Sequence, residues 1–378
     1  MPRESGDGSF LRRLNYVAVL RSLHEGESAT LAGLARQAQI SRATAEGIME
    51  ILLREGWAEE STAGAAEGQR GRPARRFAFR AAAGHVAGVS IGASRIVGKV
   101  ADLSGQIVAT ATESVPADLP SADRLAAIAG LVERTAAMAG LAPGELTAVG
   151  IGTTGVIDGE GRVVKSVVLA DWTGVPLQAE LSARLPVPVL VENDMRLAVL
   201  AEHWLGAARG RQNVLYLHTG SRIGLGLLFG GVPYRGSHAA AGELGGQRSS
   251  RWAAFHYVMD YAMSVDPGEL RAPSQAALFA MDRAREGDEK AAAAVESFAN
   301  ALAEGLVTPV TPLDPELVVI GGSLAQAGEL LVDPIRRYLG GVSLYPPEVH
   351  ASELGADAVC LGAVRHTLNH AEQLLFAS

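Results

Sequence analysis

The chain holds a single cysteine, Cys360, in 378 residues. An intramolecular disulfide is therefore impossible, and so is any site that needs several thiolates. Long apolar runs are also missing. Apolar residues make up 48% of the chain, yet no stretch approaches the roughly 18 uncharged apolar residues of a membrane span. The opening "MPRESGDGSFLRR" lacks the apolar segment of a secretory signal. These absences predict a globular cytoplasmic protein with no membrane partner. Its length predicts two or three domains. The net charge of −8 is unpromising for a nucleic-acid binder taken whole, but residues 1–80 carry 12 arginines against 10 acidic residues. The acidity belongs to the rest of the chain.

The N-terminal stretch reads as a separate unit. In "FLRRLNYVAVLRSLHEG" Leu11, Leu14, Val17 and Leu20 recur at helical spacing, and Gly26 ends the run. A second helix carries Leu31, Leu34 and Ala35 on one face. After a short turn through Ala38, Gln39 and Ile40, Ser41 is a natural N-cap for a third helix whose Ile48, Ile51 and Leu52 point inward. This is helix-turn-helix spacing, with the third helix free to enter a major groove. Ser41, Arg42, Thr44 and Glu46 are the expected DNA-facing residues, Arg42 and Thr44 reading base edges and Glu46 accepting from a cytosine amino group or orienting an arginine. Two strands, "GWAEES" and "RRFAFR", flank a tip rich in glycine and arginine and together suggest a wing. Arg70 and Arg72 of "RGRP" suit a narrow minor groove, and Arg75 and Arg76 extend the basic cluster. Three packed helices with a solvated basic loop is the plainer reading of the same residues.

From about residue 84 the pattern becomes α/β. "HVAGVSIG", "RIVGKVAD" and "IVATATESV" read as a three-stranded meander, and "NVLYLHTGSRIGLGLLFGG" is a second strand-glycine-strand hairpin. Two such hairpins suggest two related lobes facing a cleft.

The order of motifs resembles the ROK family, which joins transcriptional repressors to sugar kinases of the actin-like, ribonuclease H-like ATPase fold. "SRAT", "GRPARRF", "GVPL" after "DWT", "VENDMRLAVLAE", "GLGLLFGGVPYRGSHAAAGELGG" and "VVIGGSLAQAGELLVDPIRRYL" occur in family order. The resemblance implies a winged helix-turn-helix over residues 1–82, a first lobe over 83–195 completed by a C-terminal helix at 356–376, and a second lobe over 196–355. It also implies departures. Family kinases carry Asp, Gly and Thr in the first phosphate loop, where Ser90, Gly92 and Ser94 stand here. A serine cannot supply the charge that holds Mg²⁺. In the second loop, Gly220, Ser221 and Arg222, the arginine replaces a glycine and can either contact phosphate or block the nucleotide.

"VENDMR" keeps Asn193 and Asp194, which in the resembling kinases hold sugar hydroxyls, the Asp also serving as the catalytic base; Asp194 can equally be a helix cap. Glu243 is kept, the family histidine is replaced by Gly246, and the usual Asn before the tryptophan motif is Val168. His238 lies near the presumed cleft. The family's structural zinc run is absent, because "QRSSRWAAFHYVMDYAMS" has no cysteine, so neither a metal nor any other cofactor is expected. Trp252, Phe255, Tyr257 and Tyr261 suggest that packing takes the metal's place.

The expectation is a DNA-binding regulator, a repressor rather than an enzyme, that senses a sugar-like effector at Asn193, Asp194, Glu243 and His238 and binds a double-stranded operator as a homodimer or higher homo-oligomer. Two alternatives stay open: an ATP-dependent sugar kinase with a DNA-binding arm, and a regulator with no small ligand.

Overall fold

Side-chain caps delimit the helices of the N-terminal unit in the computed structural model, which describes residues 7–61, 75–220, 222–244, 252, 254–269 and 271–377. The order is α1 (Asp7–His24), β1 (Ala29–Thr30), α2 (Leu31–Gln37), α3 (Arg42–Glu55), β2 (Ala58–Ser61) and β3 (Arg76–Phe79). Thr30 Oγ1 accepts from Gly33 N–H (3.2 Å) to start α2, and Ser41 Oγ accepts from Thr44 N–H (3.1 Å) to start α3. Gly56, at φ 81°, closes α3 in the left-handed region. The strands form an antiparallel sheet ordered β1-β3-β2, which is the winged-helix arrangement. Its core gathers Val19, Leu20, Leu34, Met49, Leu52 and Phe77.

Three expected core positions differ, the first being Ile51, which is half-buried and lines a groove between α1 and α3. Leu11 is 56% and Leu14 38% exposed, because the first half of α1 stands off α3 across a groove walled by Phe10, Arg13, Thr44 and Gly47. Val17, Leu20 and Leu23 of the later turns bury instead.

The larger part repeats one topology. The first half comprises β4 (His85–Ile91), β5 (Arg95–Asp102), β6 (Ile107–Ser114), α4 (Ser121–Met138), β7 (Leu146–Thr153), β8 (Val156–Ile157), β9 (Val163–Lys165), α5 (Leu177–Ser182) and β10 (Val189–Asn193). The second comprises α6 (Asp194–Leu205), β11 (Val214–Thr219), β12 (Ile223–Phe229), β13 (Val232–Pro233), α7 (His256–Val265), α8 (Pro273–Arg285), α9 (Glu289–Leu313), β14 (Leu317–Gly321), α10 (Glu329–Val342) and β15 (Glu348–Ala351), after which α11 (Ala358–Leu375) closes the chain. The sheets run β10-β7-β4-β5-β6 and β13-β12-β11-β14-β15. In each, the first strand pairs antiparallel with the second and parallel with the fourth. The two hairpins seen in the sequence are thus equivalent elements of two lobes.

The last helix ties the parts together. α11 lies on β4, β7 and α6, and Gly362 permits the approach to α6, since a Cβ there would run into the Leu197 carbonyl. Its far end enters the winged-helix unit. Phe376 packs on that core, with His24 edge-on at 5.4 Å and the Arg21 guanidinium 5.2 Å above its ring.

Candidate ligand cleft and nucleic-acid interface

The junction of β10 and α6 sets the acidic motif. Asn193 is the N-cap of α6: its Oδ1 accepts from the N–H groups of Met195 (2.9 Å) and Arg196 (3.1 Å), and its Nδ2 donates to the Gly155 carbonyl (3.0 Å). The cap role open to Asp194 therefore falls to Asn193, and the amide is engaged within the protein. Behind it, Arg196 is fully buried against Glu192 (Nε to Oε1, 2.7 Å) and donates to the Ala239 carbonyl (3.0 Å).

Asp194 lines a cleft of about 560 Å³ shared by the two lobes. Arg222, from the β11–β12 turn, donates from Nη2 to Asp194 Oδ2. Burial pushes the Asp194 carboxyl up, and the guanidinium and the Met195 N–H pull it part of the way back. His218 is pushed down to about 4 by burial and by the Arg222 charge. Near neutral pH it is an uncharged imidazole whose buried Nδ1 has no hydrogen-bond partner among the described residues. A Cβ built on Gly220 would lie 3.0 Å from His218 Nε2 and 3.3 Å from Ser323 Oγ, so both polar atoms crowd the second turn.

The first turn is held from behind. Arg124 of α4, fully buried, donates from Nη1 to the carbonyls of Gly92 (3.1 Å) and Ala93 (3.2 Å), and from Nη2 to those of Pro116 (3.3 Å) and Ala117 (3.4 Å). No carboxylate among the described residues pairs with it. The hydroxyls of Ser90, Ser94, Ser114, Thr154, Ser274 and Ser323 also line the cleft, with no hydrogen-bond partner among the described residues.

The other expected ligand residues sit elsewhere. Glu243 borders a smaller cavity of about 200 Å³ with Leu225, Leu244 and Trp252. Its carboxyl is raised by burial and then by the Asp194 charge, with Arg222 and Arg196 opposing, so it lies within electrostatic reach of the cleft without forming its wall. His238 is exposed, at the tip of a loop closed by Ala241 N–H on the Arg235 carbonyl (3.2 Å). Val168 is half-buried in the cleft wall. Ser221 and Gly246 lie outside the described residues. No group of three or more His, Cys, Asp or Glu among the described residues could hold a metal ion. Trp252, Phe255 and Tyr261 belong to the second lobe's core, Phe255 lying 5.2 Å from Phe298. Tyr257, expected to pack with them, is exposed instead and stacks on His256 at 3.9 Å. Sequence reasoning missed the Arg222–Asp194 pair, Arg124, and Arg95 at the start of β5, which also lines the cleft.

On the N-terminal unit, Arg42, Thr44 and Glu46 are exposed along α3. The Ser41 hydroxyl serves as cap and also meets Thr44 Oγ1 at 2.8 Å. Arg75, just before β3, pairs with Glu60 of β2. Arg76 donates to the Ser28 hydroxyl (2.9 Å) and carbonyl (2.6 Å), which ties the sheet to the first connection. Arg70 and Arg72 lie outside the described residues. Among the described residues no helix is long and apolar enough to cross a membrane.

Comparison with known proteins agrees with this architecture. The xylose repressor of Caldicellulosiruptor bescii is 22% identical over 390 residues, covering 95% of this chain and 96% of that protein. The glucokinase of Streptomyces coelicolor is 30% identical over 309 residues, covering 73% of this chain and 95% of its own length. The crystal structure of a ROK family transcriptional regulator, a homolog of the E. coli MLC protein, superposes with a TM-score of 0.75 at 19% identity, over 97% of this chain and 100% of that one. The ROK family model matches residues 86–253 and 268–368, so the chain belongs to the ROK family.

Proposed function

We propose that the chain is a DNA-binding transcriptional regulator, acting as a repressor, whose kinase-like cleft senses a sugar or sugar-derived effector without phosphorylating it. The observation that carries this reading is the Arg222 guanidinium on Asp194. A base that deprotonates a sugar hydroxyl needs an open carboxylate within hydrogen-bond reach of it. Here that carboxylate is already held by a cation, and Ser90 offers no charge to organise Mg²⁺ and phosphates. The end-to-end similarity to a xylose repressor supports the same conclusion.

The division proposed is a DNA-binding domain over 1–82, a first lobe over 83–195 with the helix at 356–376, and a second lobe over 196–355, in a cytoplasmic homodimer on two half-sites. α11 supplies the link between cleft and DNA. Gly355, Ala356 and Val359, at and just before its start, line the cleft, while Phe376 at its far end packs in the winged-helix core. Eighteen helical residues span about 27 Å. A ligand that binds one lobe arrangement better than another shifts the two DNA-binding units by that difference in affinity.

A sugar kinase with a DNA-binding arm is the second reading, favoured by the similarity to a glucokinase over 73% of the chain. A coupled ATPase assay across a panel of sugars separates the two. No turnover is expected; sugar-dependent ATP consumption that disappears in Asp194→Ala would establish the kinase. A regulator with no small ligand would show no melting shift with any sugar or sugar derivative.

A further inference from the structure

The chain crosses between the lobes twice, at Asn193–Asp194 on the way out and over residues 352–357 on the way back. The Asn193 cap sets the first crossing. Buried charge sets the second. Glu202, in the last turn of α6, is fully buried, and no cation pairs with it among the described residues. The Ser352 hydroxyl, one residue past β15, donates to Glu202 Oε1 and accepts from the N–H groups of Leu354 (3.1 Å) and Gly355 (3.3 Å). Glu202 Oε2 accepts from Ala207 N–H (3.0 Å). Ser352 N–H donates to the Ile320 carbonyl of β14 (2.8 Å). The turn that leaves the second lobe is therefore fastened both to α6 and to the sheet.

The other end of the segment is held by the first lobe. Lys99 of β5, 8% exposed, reaches Asp357 Oδ2 (3.2 Å) immediately before α11. Leu354 and Ala358 pack at the junction beside α6 and β11, and between them Gly355 and Ala356 line the cleft. Gly355 has φ 54°, and a Cβ on it would meet nothing within 4 Å, so backbone conformation rather than crowding calls for glycine there. A buried carboxylate and a buried ammonium are both costly. Apolar side chains of similar size would pack at lower cost, so the two charges have a use beyond filling space.

We propose that Glu202 and Lys99 are positioning residues that pin this return crossing from opposite lobes, so that the lobes rest at one separation and move by bending at Gly355–Ala356. Loss of either pin leaves the segment fastened at one end only, and the resting separation is no longer unique. A contact made in the cleft to Gly355 or Ala356 acts on the joint itself, within two residues of the start of α11. The inference goes beyond the regulator reading, because it holds whatever the cleft takes and whether or not the chain binds DNA.

The lone native cysteine is fully buried, so cysteines placed on the surface can be spin-labelled selectively. Val108 on β6 and Val232 on β13 are exposed on outer strands of the two sheets. Pulsed electron paramagnetic resonance on the full chain carrying Val108→Cys and Val232→Cys, without ligand or DNA, reads the separation of the lobes. One narrow distance is expected while both pins are in place. Ser352→Ala removes the hydroxyl donor from Glu202, and Asp357→Asn removes the charge facing Lys99; each should broaden the distribution or add a second distance. Asp357→Glu, which keeps the charge, should stay narrow. Thermal melts confirm that each variant is folded, and because the Asp357 side chain is 53% exposed, its variants carry the test if Ser352→Ala does not fold. A lowered melting temperature with an unchanged distance distribution would show that the charges only stabilise the fold and would overturn the inference. So would a broad distribution with both pins in place.

Discussion

At the scale of single residues, the cleft is governed by one cation on one carboxylate. Removing the cation with Arg222→Ala leaves Asp194 buried and alone, which is expected to cost about 1–3 kcal/mol, less than for a fully buried pair because the Arg222 side chain is 28% exposed. Adding Asp194→Asn to that variant should restore most of the loss in urea melts. His218 gives a pH signature. Its folded value of about 4 lies below the ordinary 6.5, so the unfolded chain binds the proton first as pH falls. Stability is therefore full above pH 6.5 and declines between 6.5 and about 4, by at most about 3 kcal/mol. Asp194 acts oppositely: its carboxyl is raised, so it favours the folded state as pH drops toward the ordinary carboxylate range. Comparing melts of the unmodified chain with His218→Asn isolates the histidine; the variant should show the shallower slope, and an unchanged slope would remove His218 from the balance.

At the scale of elements, α3 and α11 are where the proposed DNA contact and the proposed coupling are tested. Gly47 sits inside α3 with nothing within 4 Å of where a Cβ would stand, so internal packing does not require glycine there. Gly47→Ala is expected to raise stability by about 1 kcal/mol through helix propensity and, if α3 lies in the major groove, to weaken operator binding by crowding it. A variant both more stable and equally tight on DNA would take that face of α3 out of the interface. In α11 the test is Phe376→Ala. It should leave cleft and operator affinities measurable separately but reduce the effect of one on the other, read as a smaller ligand-induced shift in fluorescence-anisotropy titrations of labelled operator. Undiminished coupling would mean that the signal does not travel through the end of α11.

For the whole molecule, the features legible in the sequence were those with local causes. Ser41 as a cap, the helix-turn-helix spacing and the two glycine hairpins follow from neighbours a few residues apart, and the hairpin echo correctly implied duplicated lobes. What was hidden depends on distance through space. Arg222 reaches Asp194 across 28 residues of chain, and Arg124 finds the first turn only because α4 packs on that sheet. Asn193 keeps its motif place, but helix capping and ligand binding use the same residue type, so sequence alone could not separate them. Leu11 and Leu14 have the right spacing for a core face, and only the groove beside α3 leaves them open. Sequence-specific binding of DNA through α3 is the property on which the proposed regulator depends most. It is tested most directly by mixing the purified chain with fragmented genomic DNA of its source and sequencing what is retained, beside Arg42→Ala. A small set of sites sharing a two-fold-symmetric motif is expected, depleted in the variant. Retention without sequence preference, identical for both proteins, would contradict it.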